Sequence, residues 1–143
     1  MCGRPFGGLL RKSLVSCYRV VGVDDYCRCL AVLVTLVGGF KLLVINVYLP
    51  CFEAGEAYHI KVADCVGFIE NCLVSNTYDS ALILGDFNFE CVDQSSGYKL
   101  MRDMLSDYNI KCCDDLAEPD LKYTYFQNTL CRFSTIDHMF MSE

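Results

Sequence analysis

The sequence is poor in positive charge. Twelve Lys and Arg face eighteen Asp and Glu across 143 residues, leaving a formal net charge of -6 and a pI near 4.8. Nonspecific affinity for nucleic acid comes mostly from Lys and Arg displacing counterions, so this balance disfavours a broad grip on phosphate backbones. An acidic, metal-binding cleft remains allowed. The basic charge available for a track lies early, at Arg4, Arg11, Lys12, Arg19 and Arg28. Paired CxxC units are also missing, although there are eleven cysteines. Cys27-Arg28-Cys29 and Cys112-Cys113 do not have zinc-knuckle spacing, and His59 and His138 lie far from any cysteine pair, which argues against a structural metal. Met1 to Val15 has no apolar h-region, so it is not a signal peptide. That absence and the odd cysteine count point to an intracellular protein, nuclear or cytoplasmic, with reduced thiols, many of them small core residues. The longest uncharged run of interest, Cys29 to Phe40, is short of the ~20 residues of a spanning helix, so no membrane partner is expected. No repeat, low-complexity tract or linker divides the chain, and its length fits one domain, 1–143.

What the chain does have is apolar, β-branched-rich runs. Leu14 to Val23 alternates in a strand-like way and meets a turn at Asp24-Asp25. Leu30 to Val37 and Lys41 to Tyr48 flank Gly38-Gly39, the two-residue signature of a tight hairpin. Near-continuous apolarity in both strands suggests burial on two faces. After Pro50, the positions Val62, Val66, Ile69 and Leu73 predict an amphipathic helix over about Glu56 to Val74, with Lys61, Asp64 and Glu70 on its other faces. A strand follows from Ser80 to Gly85, then a second helix over roughly Tyr98 to Tyr108 with Met101, Met104, Leu105 and Tyr108 inward. Ile110 to Cys113 reads as a short strand and Glu118-Pro119-Asp120 as a loop. Tyr123 to Phe126 and Ser134 to Met141 read as the last two strands, joined by a polar connection through Asn128 and Arg132. Strands and helices in this order make an α/β (α+β) fold.

Ala81 to Phe89 concentrates the candidate chemistry. An apolar strand is interrupted by Gly85 and delivers Asp86 and Asn88 to its carboxyl-terminal end. A carboxylate there can orient an attacking water, while an amide, a phenol (Tyr48) and a hydroxyl (Thr124) can donate hydrogen bonds to phosphate oxygens. Asp137 is a fourth polar position at a strand end. Taken singly, Tyr48 also suits an amphipathic strand end, Thr124 a β-former, and Asp137 a turn or ladder residue.

The order Ile45-Asn46-Val47-Tyr48-Leu49-Pro50, Leu84-Gly85-Asp86-Phe87-Asn88, Tyr123-Thr124-Tyr125-Phe126 and Ser134-Thr135-Ile136-Asp137-His138 resembles the endonuclease/exonuclease/phosphatase family. Within it, the sequence is most similar to the apurinic-type endonuclease domains of non-LTR retrotransposons, in which a Gly-Arg-Pro-x-Gly-Gly opening like Gly3 to Gly8 also occurs. The resemblance implies a four-layer sandwich of two β-sheets flanked by helices, with a Mg²⁺-dependent site that cleaves DNA phosphodiester bonds. By motif, Asp86 would orient or deprotonate the attacking water, Asn88 would bind and stabilise the phosphoryl group, and Tyr48 would contact the scissile phosphate. Thr124 would place a hydroxyl near it, and Asp137 would hydrogen-bond a catalytic histidine.

The chain departs from the family's pattern at both ends. The expected first strands, which carry an Asn and a metal-ligating Glu, and the final Ser-Asp-His strand have no counterpart in it. The fold is therefore expected as an incomplete sandwich, with catalysis impaired or lost. His138 does not replace the missing histidine, because neighbours on a strand face opposite ways. His59 is expected to be a solvated helix residue, and Glu53, Glu56 and Glu90 solvated carboxylates; the metal ligand set is open, with Asp86 a possible member. Alternatives are a phosphodiesterase or phosphatase of the same fold acting on a small phosphorylated substrate, and a non-catalytic relic or binding module. Open sheet edges are expected to permit self-association.

Overall fold

The computed structural model describes residues 11–91, 96–113, 123–129 and 131–142. The Gly3 to Gly8 opening, with Arg4, and the Glu118-Pro119-Asp120 loop lie outside them. Strand β1 (Val15–Val23) pairs antiparallel with β2 (Cys29–Leu36), and β2 with β3 (Lys41–Tyr48). Helix α1 (Glu56–Ser75) then crosses over so that β4 (Ser80–Asp86) lies parallel to β3. Helix α2 (Ser96–Asp107) leads to β5 (Ile110–Cys112). Strands β6 (Tyr125–Gln127) and β7 (Arg132–Ser134) form a separate two-stranded hairpin before β8 (Asp137–Ser142). The main sheet has the order β1-β2-β3-β4-β8-β5. The fold is α+β: a six-stranded sheet, a two-stranded sheet and two helices.

The helices form where apolar spacing of three and four residues makes a stripe. In α1 that stripe is Val62, Val66, Ile69 and Leu73, with Tyr58, Cys65 and Cys72 beside it, all buried. In α2, Met101, Met104 and Leu105 are buried, and Tyr108, just beyond, packs against the same core. The stripes cover one sheet face, made of Ala31, Leu43, Ile45, Val47, Ala81, Ile83 and Phe140. Cross-strand pairing places these in register: Ala31 opposite Ile45, Ile45 opposite Ile83, and Ile83 opposite Phe140.

Three local expectations change. Burial of the strands is complete on one face and partial on the other, where Val34 is buried, Leu42, Val44, Leu82 and Leu84 are half-buried, and Val20, Met139 and Met141 toward the edges are exposed. Apolarity alone does not say how many layers cover a strand. The β2–β3 turn is also longer than two residues, because Leu36 N–H donates to the Phe40 carbonyl and Val37, Gly38 and Gly39 form the loop. Both glycines have positive φ, 102° and 90°, as a tightly turning loop of this length requires. Finally, Ser134 to Met141 is not one strand: it divides into the end of β7 and most of β8, and the polar connection through Asn128 is a hairpin turn.

Gly85 fixes how closely β3 and β4 approach. Its φ is 142°, and a Cβ added there would stand 2.0 Å from the Val47 carbonyl oxygen. Gly85→Ala is expected to destabilise by about 3 kcal/mol or more, because rigid backbone would have to move. Gly67→Ala, at an exposed helix position with nothing near the added methyl, should stabilise by about 1 kcal/mol. Urea denaturation of the two variants beside the parent checks the contrast.

Candidate active site

Four side chains end in one row across the mouth of the main sheet. Tyr48 at the end of β3 pairs with Asp86 at the end of β4, and Asp86 pairs with Asp137 at the start of β8. On the other side, Tyr48 N–H donates to the Arg28 carbonyl at 2.8 Å, which puts Arg28 opposite Tyr48. The sheet thus brings Tyr48, Asp86 and Asp137 together as the motif order implies. Arg28, previously only one of several basic residues, becomes their neighbour. The hairpin register contains the signal for it, since Arg28 and Tyr48 each stand ten residues from Gly38.

Beyond Asp86 the chain turns sharply. Asn88 adopts a left-handed conformation with φ 52°, which asparagine tolerates better than most residues. The Asp86 carboxylate accepts the Asn88 backbone N–H at 3.0 Å, and the Asp86 carbonyl accepts from Leu49 N–H at 2.9 Å. Asn88 Nδ2 donates to the Leu49 carbonyl at 2.7 Å, while its Oδ1 accepts from the Cys51 thiol at 3.3 Å. One N–H of the amide is therefore left to donate outward. Phe87 and Phe89 anchor the turn from below, both buried, with Phe87 edge-on to Phe140 at 5.1 Å. Alternation of Phe with Asp and Asn holds the polar pair at the surface. Sequence reasoning missed the clamps from Leu49 and Cys51, whose only signal is their place directly after Tyr48.

Thr124 also holds a hairpin in place. Its Oγ1 accepts the backbone N–H groups of Ile136 and Asp137, both at 3.1 Å, and so ties the β6–β7 hairpin to the start of β8. The hydroxyl proton remains free to donate. His138 lies behind the sheet as expected, 5% exposed among Phe87, Phe89 and Phe140. Its Nε2–H donates to the Phe89 carbonyl at 2.8 Å, which leaves Nδ1 to accept from Cys91 at 3.4 Å. His59 is exposed on α1, and Glu53 pairs with Lys61 at 3.6 Å. Among the described residues no group of three or more His, Cys, Asp and Glu converges to hold a metal.

Electrostatics distinguishes Asp86. Partial burial pushes its carboxyl above the usual range; the Asn88 N–H opposes the shift, the charge of Asp137 adds to it, and His138 opposes it weakly. Two adjacent carboxylates facing solvent form a place where positive charge is favoured.

No family model matches the sequence, and no curated protein does so either. Solved structures do match. The 3′ phosphatase NExo from Neisseria, bound to a product DNA hairpin, is 18% identical over 92% of this chain and 60% of its own, with a TM-score of 0.63. An endonuclease/exonuclease/phosphatase family protein from Bacteroides thetaiotaomicron is 18% identical over 92% and 53%, with a TM-score of 0.62. The human Nocturnin catalytic domain, with a bound sulfate anion, is 17% identical over 88% and 48%, with a TM-score of 0.54. The chain thus has the endonuclease/exonuclease/phosphatase fold and spans about half to three-fifths of the structures it matches.

A group whose pKa is raised by folding binds its proton more tightly in the folded state, so its ionised form costs stability at neutral pH. Asp86→Asn, which keeps the acceptor for the Asn88 N–H, should therefore raise the Tm at neutral pH. The gain should shrink as pH falls through the raised pKa and vanish once the carboxyl is protonated in both states. Thermal melts across that range test the sign.

Proposed function

We propose that the mouth of the main sheet is a phosphodiesterase site of the DNA-nicking kind, related to the endonuclease domains of non-LTR retrotransposons. The observation that carries this reading is the placement of Asp86 and Asn88. A glycine that no other residue can replace, two buried phenylalanines and the Leu49 carbonyl hold them on the same mouth as Tyr48 and Asp137. Support also comes from the matched structures, which include a phosphatase bound to product DNA and a domain holding sulfate.

In this reading Asp86, oriented by the Asn88 N–H, accepts the proton of the attacking water. The free N–H of Asn88 and the Tyr48 phenol donate to the phosphoryl oxygens as charge develops on them. Mg²⁺ fits Asp86 and Asp137, because that ion is often held by one or two carboxylates and keeps several waters. When bound it neutralises charge on the phosphate. No larger cluster of His, Cys, Asp and Glu backs that pair among the described residues, so turnover is expected to be slow.

A small phosphorylated substrate is the second reading, favoured by the net charge of -6. Self-association is a further part of the proposal. Among the described residues β1 has a partner on one side only along its nine residues, with Tyr18 and Val20 exposed, and such an edge can add a strand from another copy. An intracellular compartment is part of the proposal too, and the unbridged thiols of Cys17, Cys29, Cys51, Cys65, Cys72 and Cys131 fit reducing conditions.

With Mg²⁺ and supercoiled plasmid, the chain should convert substrate slowly to the nicked form. Asp86→Ala should reduce the rate to background, and Asn88→Ala should lower it by about 10²-fold, as loss of one transition-state donor does elsewhere. Hydrolysis of p-nitrophenyl phosphate with no action on plasmid or on bis(p-nitrophenyl) phosphate would transfer the assignment to the small-substrate reading.

A further inference from the structure

The mouth occupies one end of the main sheet, and the opposite end has another character. Two tight turns lie side by side there. Leu14 N–H donates to the Arg11 carbonyl at 2.8 Å, closing the turn before β1, and Val37 N–H donates to the Leu14 carbonyl at 3.0 Å, tying that turn to the β2–β3 loop. The loop is closed in its own right by Leu36 N–H on the Phe40 carbonyl and Gly39 N–H on the Leu36 carbonyl, at 2.8 and 3.0 Å. Three large apolar side chains project from these turns into solvent: Leu14 is 58%, Val37 69% and Phe40 45% exposed.

Arg11, Lys12 and Lys41 stand around them, all exposed. None of the three cations has an ion pair among the described residues, where the pairs formed are Lys61–Glu53 and Arg102–Asp103. Asp79 is the acid bound into this end, its carboxylate accepting the Lys41 N–H at 2.7 Å. Asp24 and Asp25 follow the far end of β1, and Asp86 and Asp137 lie at the mouth. The turns are therefore locally basic in a chain whose net charge is -6.

Size and shape select the partner. Three apolar side chains on convex turns cover far less than the ~800 Å² that each side of a stable protein interface buries, and they form no groove to receive a side chain. A lipid bilayer demands no shape complementarity. Apolar side chains enter the boundary between headgroups and acyl chains, while cations meet anionic headgroups. No helix among the described residues is long and apolar enough to cross a membrane, so the contact is a shallow one. The hydrogen bonds within the turns hold the side chains outward before contact, which lowers the entropy lost on binding.

We infer that the turn at Arg11 to Leu14 and the loop from Val37 to Phe40 form a peripheral docking surface for an anionic lipid bilayer. Leu14, Val37 and Phe40 enter the surface, and Arg11, Lys12 and Lys41 lie on the headgroups. This is independent of the hydrolytic reading. Strand β3 runs from this end to Tyr48 over eight residues, or about 25 Å, so a docked chain holds its mouth away from the bilayer.

Flotation on a density gradient is the test, since aggregated protein sinks and vesicle-bound protein rises. Two vesicle types are used, phosphatidylcholine alone and phosphatidylcholine mixed with phosphatidylserine. The full chain should float with the mixed vesicles, float less with the neutral ones, and be released by KCl. Arg11→Gln and Lys12→Gln should each weaken binding about fivefold, the value of one cation at an anionic surface. Val37→Ser combined with Phe40→Ser should weaken it about tenfold or more. All four side chains are exposed, and thermal melts confirm that the variants fold. Failure to float with the mixed vesicles overturns the inference, as does equal binding to both lipids or flotation that the substitutions leave unchanged. An oligomer that Val37→Ser with Phe40→Ser dissociates, in a chain that does not float, assigns the turns to a second copy and overturns it as well. Plasmid nicking, read in the same preparations, should be the same in these variants as in the parent, so the lipid result and the hydrolytic result are separable.

Discussion

The contact on which the site depends is between two backbones. At Gly85 strand β4 comes so close to the Val47 carbonyl that no side chain fits between them. That approach sets the level of Asp86 against Tyr48 and lets the Leu49 carbonyl reach the Asn88 amide at 2.7 Å. A wider separation would leave each group with its chemistry but without its partner. Reactive groups are useful only when held within a fraction of an ångström, and here the precision comes from a missing Cβ and two buried rings under the turn.

The polar mouth carries tension for the same reason. Asp86 is partly withdrawn from water and stands beside a second carboxylate, so the folded chain bears a charge it would hold more easily when unfolded. Destabilising arrangements of this kind cluster where proteins do chemistry, because a carboxylate that is easily protonated is also one that accepts a proton readily. Below the sheet the opposite holds. His138 is paired at both ring nitrogens and enclosed by aromatic rings, which suits a structural residue.

Much of this was legible in the residues. The apolar spacing of Val62, Val66, Ile69 and Leu73 located α1 within a residue or two, and Leu84 to Asn88 announced a strand delivering polar groups to its end. Period-two alternation places His138 behind Asp137. What stayed hidden depends on long-range register. Strand β7 is only three residues, too short for a periodic signal, and the hydrogen bonds that Thr124 accepts from Ile136 and Asp137 N–H span twelve and thirteen residues. Arg28 was lost among other basic residues until pairing across the hairpin set it opposite Tyr48. The cysteines illustrate the limit of composition: Cys29, Cys65 and Cys72 fill the core, whereas Cys17, Cys51 and Cys131 are exposed.

The position of β8 has a consequence for how the molecule is made. Strand β8, the furthest along of the described strands, does not sit at the edge; it inserts between β4 and β5. As the chain emerges in order, β1 to β4 and α1 can assemble through near neighbours, while β4 waits with one edge unpaired for a strand more than fifty residues further on. Closure of the sheet and arrival of Asp137 beside Asp86 are then one event. The acidic pair exists only in molecules whose synthesis has passed β8, so a growing chain carries Asp86 well before it carries a completed mouth.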